Sequence, residues 1–372
     1  MLSENVSLTA EGRRLVAKLQ AGQRLDDLAK QGLSAEVTNA LVKAGLLQVR
    51  AETALPLNYQ EVYAGWRSQK GMLIDDPRTL AFERAIQTVV KPGDRVVDVG
   101  TGSGILSMFA ARSGAGKVFA LEYTSMADWA RKLAEVNGLT AMQVVHGDAT
   151  KFEGDGPVDV VMGEFAGMWL IEEWWHYAAF VKVRDKLLKP GGRVIPEAAR
   201  LFLSAVDSRK LHLERGWGFF DAPVYGFDFS EVLTSGAYRP TRYIMSAEWK
   251  SLVCTKQIAR FDYLTGTERD YAFTTEVQFD YPAGGMFHGF IGHFDLEMAS
   301  GQVLSTSCGV RETCWHQSYF PMPALYVPPG QAVVARLRSY FDEVTNILMF
   351  AISVAGSGQS LDSQAEHVFA IE

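Results

Sequence analysis

The chain has 372 residues, of which 48% are hydrophobic and 21% are charged, and its formal net charge is −7. This composition is typical of a globular protein that is long enough for two domains with sizeable cores. An acidic chain lacks the basic surface expected of a general nucleic-acid binder, so no nucleic-acid partner is predicted. The sequence contains no run of about 18 apolar residues, so it predicts neither a transmembrane helix nor a membrane partner.

The cysteines restrict the possible stabilising groups. Only Cys254, Cys308 and Cys314 are present, and they form no CxxC pair. An odd and sparse set argues against a disulfide framework and against a structural zinc site, so we expect no metal. The amino-terminal residues contain no apolar segment of the kind found in secretory signals. Together these features predict a cytoplasmic protein.

The residue pattern changes along the chain and predicts three segments. Residues 1–50 have apolar residues at helical spacing and predict a small helical segment, which we interpret as a packing appendage rather than a DNA-binding element. Residues 51–197 alternate strand and helix patterns, which predicts a Rossmann-like domain with a parallel-rich sheet. Residues 198–372 carry strand patterns separated by glycine or proline turns, which predicts a β-barrel domain. The linker is expected near Pro196–Arg200.

A glycine-rich loop, Asp98–Gly104, follows the first predicted strand of the α/β segment. Glycines let the backbone approach a ligand, and the amino terminus of the next helix offers free N–H groups. Glu122 ends the next strand, where a carboxylate can accept hydrogen bonds from both ribose hydroxyls. Asp148 and Ala149 end a later strand, beside a predicted adenine pocket. The spacing is GxGxG rather than the dinucleotide fingerprint GxGxxG, so S-adenosylmethionine (SAM) is predicted, with NAD as the alternative.

From about residue 59 to residue 350 the chain resembles the protein arginine methyltransferases (PRMTs). The likeness rests on YQEVYAGWRSQKGMLIDDPRT, VVDVGTGSGILSMFAARSGAGKV, the acidic and aromatic stretch EFAGMWLIEEWW, GFFDAPVYGFDFS, and LSTS followed by TCWHQSYF. The resemblance implies SAM as the methyl donor and S-adenosyl-L-homocysteine as the product. It also implies a dimerisation arm at about residues 212–232, and therefore a homodimer.

The resemblance further implies roles for individual residues. Arg78 would pair with the SAM carboxylate, and Glu164 and Glu173 would grip a guanidinium. That last role has independent physical support, because a guanidinium keeps its proton and offers five donors that two carboxylates can share. The catalytic set implied is Glu164, Glu173, Tyr63 and Met72. The cofactor set is Arg78, Asp98, Gly100, Gly102, Gly104, Ile105, Leu106, Glu122, Tyr123, Asp148, Ala149 and Glu164, and the acceptor-pocket set is Tyr59, Trp175, Cys314 and Trp315.

Several residues of the acceptor side depart from the family's pattern. Cys314 stands where the family has a loop histidine, although Asp75, the usual partner of that histidine, is present. His316 lies two residues further on and, on a strand, would share a face with Cys314. Glu172 replaces a residue that is usually aromatic, and we expect it to face solvent. Trp175 replaces a methionine, so the acceptor pocket is predicted to be reshaped.

Three hypotheses follow for the function. The first is methylation of a guanidino nitrogen on free arginine, a peptide or a protein, which the two retained glutamates favour. The second is C- or N-methylation of an aromatic small molecule such as an indole, since some members of the fold act in natural-product pathways. The third is a non-catalytic SAM-binding regulator. The intact cofactor motif together with both carboxylates makes the third hypothesis the weakest.

Overall fold

The computed structural model describes residues 63–234, 240–246, 249–342, 346–356 and 358–371. The predicted helical segment 1–50 and the pocket candidate Tyr59 lie outside these residues. The described helices are α1 (Trp66–Leu73), α2 (Asp76–Val89), α3 (Ile105–Arg112), α4 (Met126–Val136), α5 (Trp174–Leu187), α6 (Arg209–Arg215) and α7 (Glu231–Thr234). Short 3₁₀ helices are at Ala149–Lys151, Ile171–Glu173, Trp217–Phe220, Trp249–Ser251, Glu268–Tyr271 and Leu361–Ser363.

Five strands form a parallel sheet in the order β3-β2-β1-β4-β5. They are β1 (Arg95–Val99), β2 (Lys117–Glu122), β3 (Met142–His146), β4 (Val158–Gly163) and β5 (Leu188–Ile195). Every adjacent pair is parallel, and Asp98 lies between Ala120 of β2 and Met162 of β4. Because the carboxyl ends of parallel strands meet at one edge, the loops after β1, β2 and β4 converge there. This convergence brings the cofactor loop close to the acidic stretch.

The remaining strands form two antiparallel sheets. The first has the order β7-β12-β10-β6-β8, with β11 also paired to β10, and the second has the order β15-β14-β13-β9. Their strands are β6 (Ala198–Val206), β7 (Tyr243–Met245), β8 (Leu252–Asp262), β9 (Phe273–Tyr281), β10 (Gly285–Glu297), β11 (Val303–Ser305), β12 (Gln317–Val327), β13 (Gln331–Phe341), β14 (Leu348–Ala355) and β15 (His367–Ile371). A parallel sheet followed by antiparallel, barrel-like sheets confirms the predicted fold class. The boundaries at residues 50 and 197 stay predictions.

The predicted arm overlaps the end of α6, contains the 3₁₀ helix Trp217–Phe220 and reaches the start of α7. Four of its aromatic side chains are exposed: Phe219, Tyr225, Phe227 and Phe229. Tyr225 is the extreme case, with 98% of its surface accessible. Within the described part of the chain, no helix combines the length and the apolar character that a membrane crossing requires.

Candidate active site

The loop after β1 requires glycine because of its backbone shape and its close neighbours. Gly100, Gly102 and Gly104 all have positive φ, of 78°, 55° and 89°. Such φ values are strained for residues that carry a Cβ. At Gly100 a Cβ would also lie 2.2 Å from Nε2 of His176. The loop can therefore bring its backbone close to a ligand only while glycine is retained.

Asp98 is a buried carboxylate at the start of this loop. Its Oδ2 accepts hydrogen bonds from the Thr101 hydroxyl at 2.6 Å and the Ser107 hydroxyl at 2.7 Å. Its Oδ1 is buried and has no hydrogen-bond partner among the described residues. Burial raises the pKa of Asp98 to about 6, although the two hydroxyl hydrogen bonds oppose the shift. An orphaned carboxylate oxygen of this kind fits a ligand that carries an ammonium group.

Glu122, at the end of β2, lies against the glycine loop. Its Oε2 accepts a hydrogen bond from the Gly102 N–H at 2.8 Å, and its Oε1 accepts from the N–H and hydroxyl of Thr124. Asp148 follows the neighbouring strand and accepts from the N–H and hydroxyl of Thr150, so it caps the 3₁₀ helix that begins at Ala149. The other predicted cofactor residues are Tyr123, which is exposed, and Ile105 and Leu106, which begin α3.

The buried Arg78 and the partly buried Glu164 form an ion pair between α2 and the loop after β4. Nε and Nη2 of Arg78 lie 3.2 and 2.5 Å from Oε2 of Glu164, while Oε1 of Glu164 accepts from the Ala166 N–H at 2.8 Å. Although burial opposes the charge, the Glu164 carboxylate holds the pKa of Arg78 above its usual value. Nη1 of Arg78 contacts the Met72 carbonyl oxygen at 3.5 Å. The structure therefore joins three predicted residues, Met72, Arg78 and Glu164.

Glu173 is held through both of its oxygens. The Tyr63 hydroxyl donates to Oε1 at 2.8 Å, and Nδ1 of His176 lies 3.5 Å from Oε2. Burial, with the Glu173 charge as the next cause, raises the pKa of Tyr63, so this hydroxyl keeps its proton and donates. Tyr63 was predicted at this site, whereas His176 was not. The available signal for His176 was its position one helical turn after Glu173.

The prediction that Glu172 faces solvent is wrong. Glu172 is buried, its Oε1 lies 2.6 Å from Nη2 of Arg242, and its Oε2 accepts from the Trp169 N–H at 3.3 Å. Nη1 of Arg242 also donates to the Ser318 hydroxyl at 3.2 Å. Burial is tolerated because Arg242 neutralises the carboxylate. Sequence reasoning missed Arg242 because it lies 70 residues from Glu172, with no local pattern to connect them.

The loop around Cys314 contradicts the expectation that Cys314 and His316 share a strand face. Residues 314 and 315 form a turn, and β12 begins only at Gln317. His316 has a φ of 52° and contacts Glu312 at 2.5 Å, while the Cys314 N–H donates to Oδ2 of Asp75 at 2.7 Å. The Asp75 side chain thus still holds this loop, by accepting a hydrogen bond from the backbone of Cys314. Burial raises the pKa of the Cys314 thiol, which stays protonated.

The tryptophans of the acidic stretch have separate positions. Trp169 is fully buried and packs edge-on against Phe320 and Phe350, so it belongs to the core. Trp174 packs against Phe341, and Trp175, a predicted pocket residue, packs against Trp174 at 6.1 Å between ring centroids. Trp315 donates from Nε1 to the Ala166 carbonyl oxygen at 2.6 Å, and its ring lies 5.7 Å from the Arg78 guanidinium carbon.

Two family models match the chain one after the other. Residues 79–191 match the ribosomal protein L11 methyltransferase family, and residues 197–339 match the arginine methyltransferase oligomerization subdomain. The first match covers the glycine loop and the parallel sheet from β1 into the first half of β5. The second begins at the residue before β6 and ends within β13.

Curated relatives and solved structures show the same similarity. The histone-arginine methyltransferases CARMER of Drosophila yakuba and Drosophila persimilis are each 29% identical over 332 residues, covering 84% of this chain. The matched region spans 62% of the length of these relatives. A Trypanosoma brucei PRMT1 enzyme-prozyme heterotetrameric complex with AdoHcy has a TM-score of 0.75 at 25% identity, covering 83% of this chain and 99% of that one.

A second solved structure is similar to this chain to nearly the same degree. Arabidopsis thaliana protein arginine methyltransferase 10, described as a uniquely open conformation, has a TM-score of 0.74 at 25% identity, covering 84% of this chain and 100% of that one. The orphaned oxygen of Asp98 and the glycine loop fit SAM, and the Trypanosoma brucei complex contains AdoHcy. The matching family models, the relatives and the solved structures together show that the chain is PRMT-like in sequence and in fold.

Proposed function

We propose that this protein transfers a methyl group from SAM to a guanidino nitrogen of an arginine, either free or within a peptide or protein. The observation that carries the proposal is the pair of carboxylates, Glu164 and Glu173, held by Arg78 and Tyr63 at the edge of the sheet where the glycine loop ends. The curated relatives are named histone-arginine methyltransferases, which also supports an arginine acceptor. The residue roles below belong to the same proposal.

The cofactor would be held by the loops after β1, β2 and β3. Asp98 would accept a hydrogen bond from the ammonium group through its unpartnered Oδ1, and the Glu122 carboxylate would accept from the ribose. Arg78 would balance the cofactor carboxylate while it keeps Glu164 in place. Asp148 and Ala149 would border the adenine. When bound, SAM supplies an electrophilic methyl group on a sulfonium.

The acceptor would be held by the two glutamates. A guanidinium that enters between Glu164 and Glu173 gains charge-assisted hydrogen bonds, which fix the direction of its reacting nitrogen. The carboxylates also draw positive charge away from that nitrogen, and one of them takes its proton during transfer. Tyr63 keeps the Glu173 carboxylate oriented by donating a hydrogen bond to Oε1. Oε2 of Glu173 is then left to contact other groups. Met72, Trp175, Cys314 and Trp315 would border the acceptor.

The assembly and the location also belong to the proposal. The exposed aromatic side chains of the arm are suited to packing against a second copy, and the matching subdomain is named for oligomerization, so we propose a homodimer. All three cysteines are free, which suits a reducing compartment such as the cytoplasm.

The test is to offer methyl-labelled SAM and the purified protein to free L-arginine, a glycine-arginine-rich peptide and an indole amide, with products read by mass spectrometry. We expect label on a guanidino nitrogen. Glu173→Gln should reduce transfer roughly 100- to 1,000-fold, since it removes a preorganised charge facing the reacting group. Glu276→Gln, in an exposed ion pair with Arg336 on the second antiparallel sheet, is the matched control and should retain activity.

Other outcomes would contradict the proposal in distinct ways. Label on the indole alone would support the alternative, methylation of an aromatic small molecule as in natural-product biosynthesis. Binding of SAM without label on any of the three acceptors would favour a non-catalytic role. Full activity in Glu173→Gln would remove the guanidinium clamp from the mechanism.

A further inference from the structure

His176 is a partly buried histidine that connects the acidic stretch to the cofactor loop. Its Nε2 lies 3.1 Å from the Val99 carbonyl oxygen, and its Nδ1 lies 3.5 Å from Oε2 of Glu173. Its side chain is only 12% exposed. The ring also occupies the space where a Cβ on Gly100 would be. One imidazole therefore touches both the loop that would hold the methyl donor and the carboxylate that would hold the acceptor.

The contact with Val99 determines which nitrogen of the neutral ring carries the proton. A carbonyl oxygen only accepts hydrogen bonds, so Nε2 must be the N–H that donates to it. In the neutral ring Nδ1 is then a lone pair directed toward Glu173. This geometry lets Nδ1 take a proton from the carboxylate, after which the imidazolium and Glu173 form an ion pair.

We propose that His176 is the positioning residue for Glu173 and the final acceptor of the proton that Glu173 takes from the substrate. The inference rests on the proposed methylation of a guanidino group. As the nitrogen–methyl bond forms and the sulfur–methyl bond breaks, the cationic nitrogen loses one proton. That proton passes to Oε2 of Glu173 and then to Nδ1 of His176, and it leaves to solvent after product release.

The charges around His176 are consistent with this role. Glu173 and Glu164 face it from the acidic stretch, and Asp98 faces it from the end of β1. Although burial opposes the charged ring, Glu173, Glu164 and the Val99 carbonyl raise the pKa of His176. The free enzyme therefore holds a protonated ring at mildly acidic pH, and the ring must lose that proton before it can accept one. Transfer should become faster as the pH rises through the pKa of His176.

The first experiment needs neither cofactor nor acceptor. Histidine NMR of the free full-length protein should show His176 titrating above the ordinary value of about 6.5. In Glu173→Gln this pKa should fall, because the nearest negative charge is lost. A His176 pKa that does not change in Glu173→Gln would overturn the inference, whatever reaction the protein catalyses.

The second experiment is the pH dependence of single-turnover methyl transfer with the best acceptor. The wild-type rate should rise through the same pKa, and His176→Gln, which keeps a donor for Val99, should lose that rise and be slower by roughly ten- to a hundredfold at neutral pH. His176→Asn, with its amide near the Nδ1 position, provides a second variant if the first folds poorly. His316→Asn, at an exposed histidine, is the control and should behave as wild type.

These readouts separate the possible failures. A slower His176→Gln whose rate keeps the wild-type pH profile would mean that the ring only fills space, and would overturn the proton role. A wild-type enzyme that methylates only the indole would overturn the proposed function, while the NMR result would still report whether His176 and Glu173 are coupled.

Discussion

The cofactor side and the acceptor side of the candidate site are built from contacts of different range. On the cofactor side, Asp98 binds hydroxyls three and nine residues away, and Glu122 binds a backbone N–H 20 residues away. On the acceptor side, the bonds from Arg78 to Glu164 and from Tyr63 to Glu173 span 86 and 110 residues. Asp98 and Glu122 of the cofactor side are therefore held by nearby neutral donors, whereas Glu164 and Glu173 of the acceptor side are held by partners distant in sequence, one of them the charged Arg78.

This difference has an energetic consequence. Removing a neutral donor costs the protein about the stability of one hydrogen bond. Removing one partner of a buried ion pair costs more, because the other charge stays buried without compensation. The acceptor side should therefore be more sensitive to single substitutions. Three substitutions test and refine this comparison.

The largest effect on stability is expected at the Arg242–Glu172 pair. Arg242→Met leaves the buried Glu172 carboxylate uncompensated and should lower the free energy of unfolding by about 3–5 kcal/mol, measured by urea denaturation. Glu172→Gln in the same chain should recover much of the loss, because the amide keeps an acceptor for the Trp169 N–H without the charge. Equal losses in the single and double variants would mean that Arg242 contributes packing rather than charge balance.

Arg260→Met is the matched control for that prediction. Arg260 pairs with Glu297 on the barrel surface, and its side chain is 46% exposed. Exposed pairs contribute about 1 kcal/mol or less, so this variant should stay close to wild type. A loss comparable to that of Arg242→Met would remove burial as the explanation of the difference.

The second effect is at Asp98 and depends on pH. The folded-state pKa of about 6 exceeds the unfolded value of 3.8, so the folded protein binds the extra proton between these values. The contribution of Asp98 to stability is therefore fully present below the unfolded pKa and is lost as the pH rises through about 6. Asp98→Asn should remove this loss and raise the free energy of unfolding at pH 8 by about 2–3 kcal/mol.

Thermal unfolding at pH 8 and pH 4 checks this prediction. Asp98→Asn should be more stable than the wild type at pH 8 but not at pH 4. The same variant should bind SAM more weakly by calorimetry, since the neutral amide cannot balance an ammonium. Asp94→Asn is the comparison, because Asp94 pairs with Arg193 and its loss should not stabilise the protein. An Asp98→Asn protein that is less stable at pH 8 would contradict the argument.

The smallest effect is expected at Asp75, which links α2 to the loop around Cys314. Its carboxylate caps α2 by accepting from the Arg78 N–H and also accepts from the Cys314 N–H. Asp75→Ala should cost about 1–2 kcal/mol of stability and weaken SAM binding by displacing Arg78. Ser208→Ala removes a comparable cap, at α6, and should leave SAM binding unchanged. Equal SAM affinity in both variants would mean that Asp75 acts only as a cap.

Sequence reasoning predicted the local part of the site better than the long-range part. Asp98, Glu122 and the glycines follow one another in chain order, and period and spacing were enough to connect them. The environment of Glu172 was predicted wrongly, Arg242 was not identified as the partner of Glu172, and His176 was not identified as a neighbour of Glu173. His316 was expected on a strand, but the chain turns at residues 314 and 315 before β12 begins.

The sequence by itself determined the order of parallel and antiparallel segments, the positive-φ glycine loop and the carboxylates of the acidic stretch. These features depend on residue type and on spacing within one or two elements, which a linear pattern records. Only the tertiary structure decided the partners of those carboxylates: Arg78 for Glu164, Arg242 for Glu172, and Tyr63 with His176 for Glu173. A buried charge selects its partner by proximity in space, because both desolvation and Coulomb attraction depend on distance and not on sequence separation.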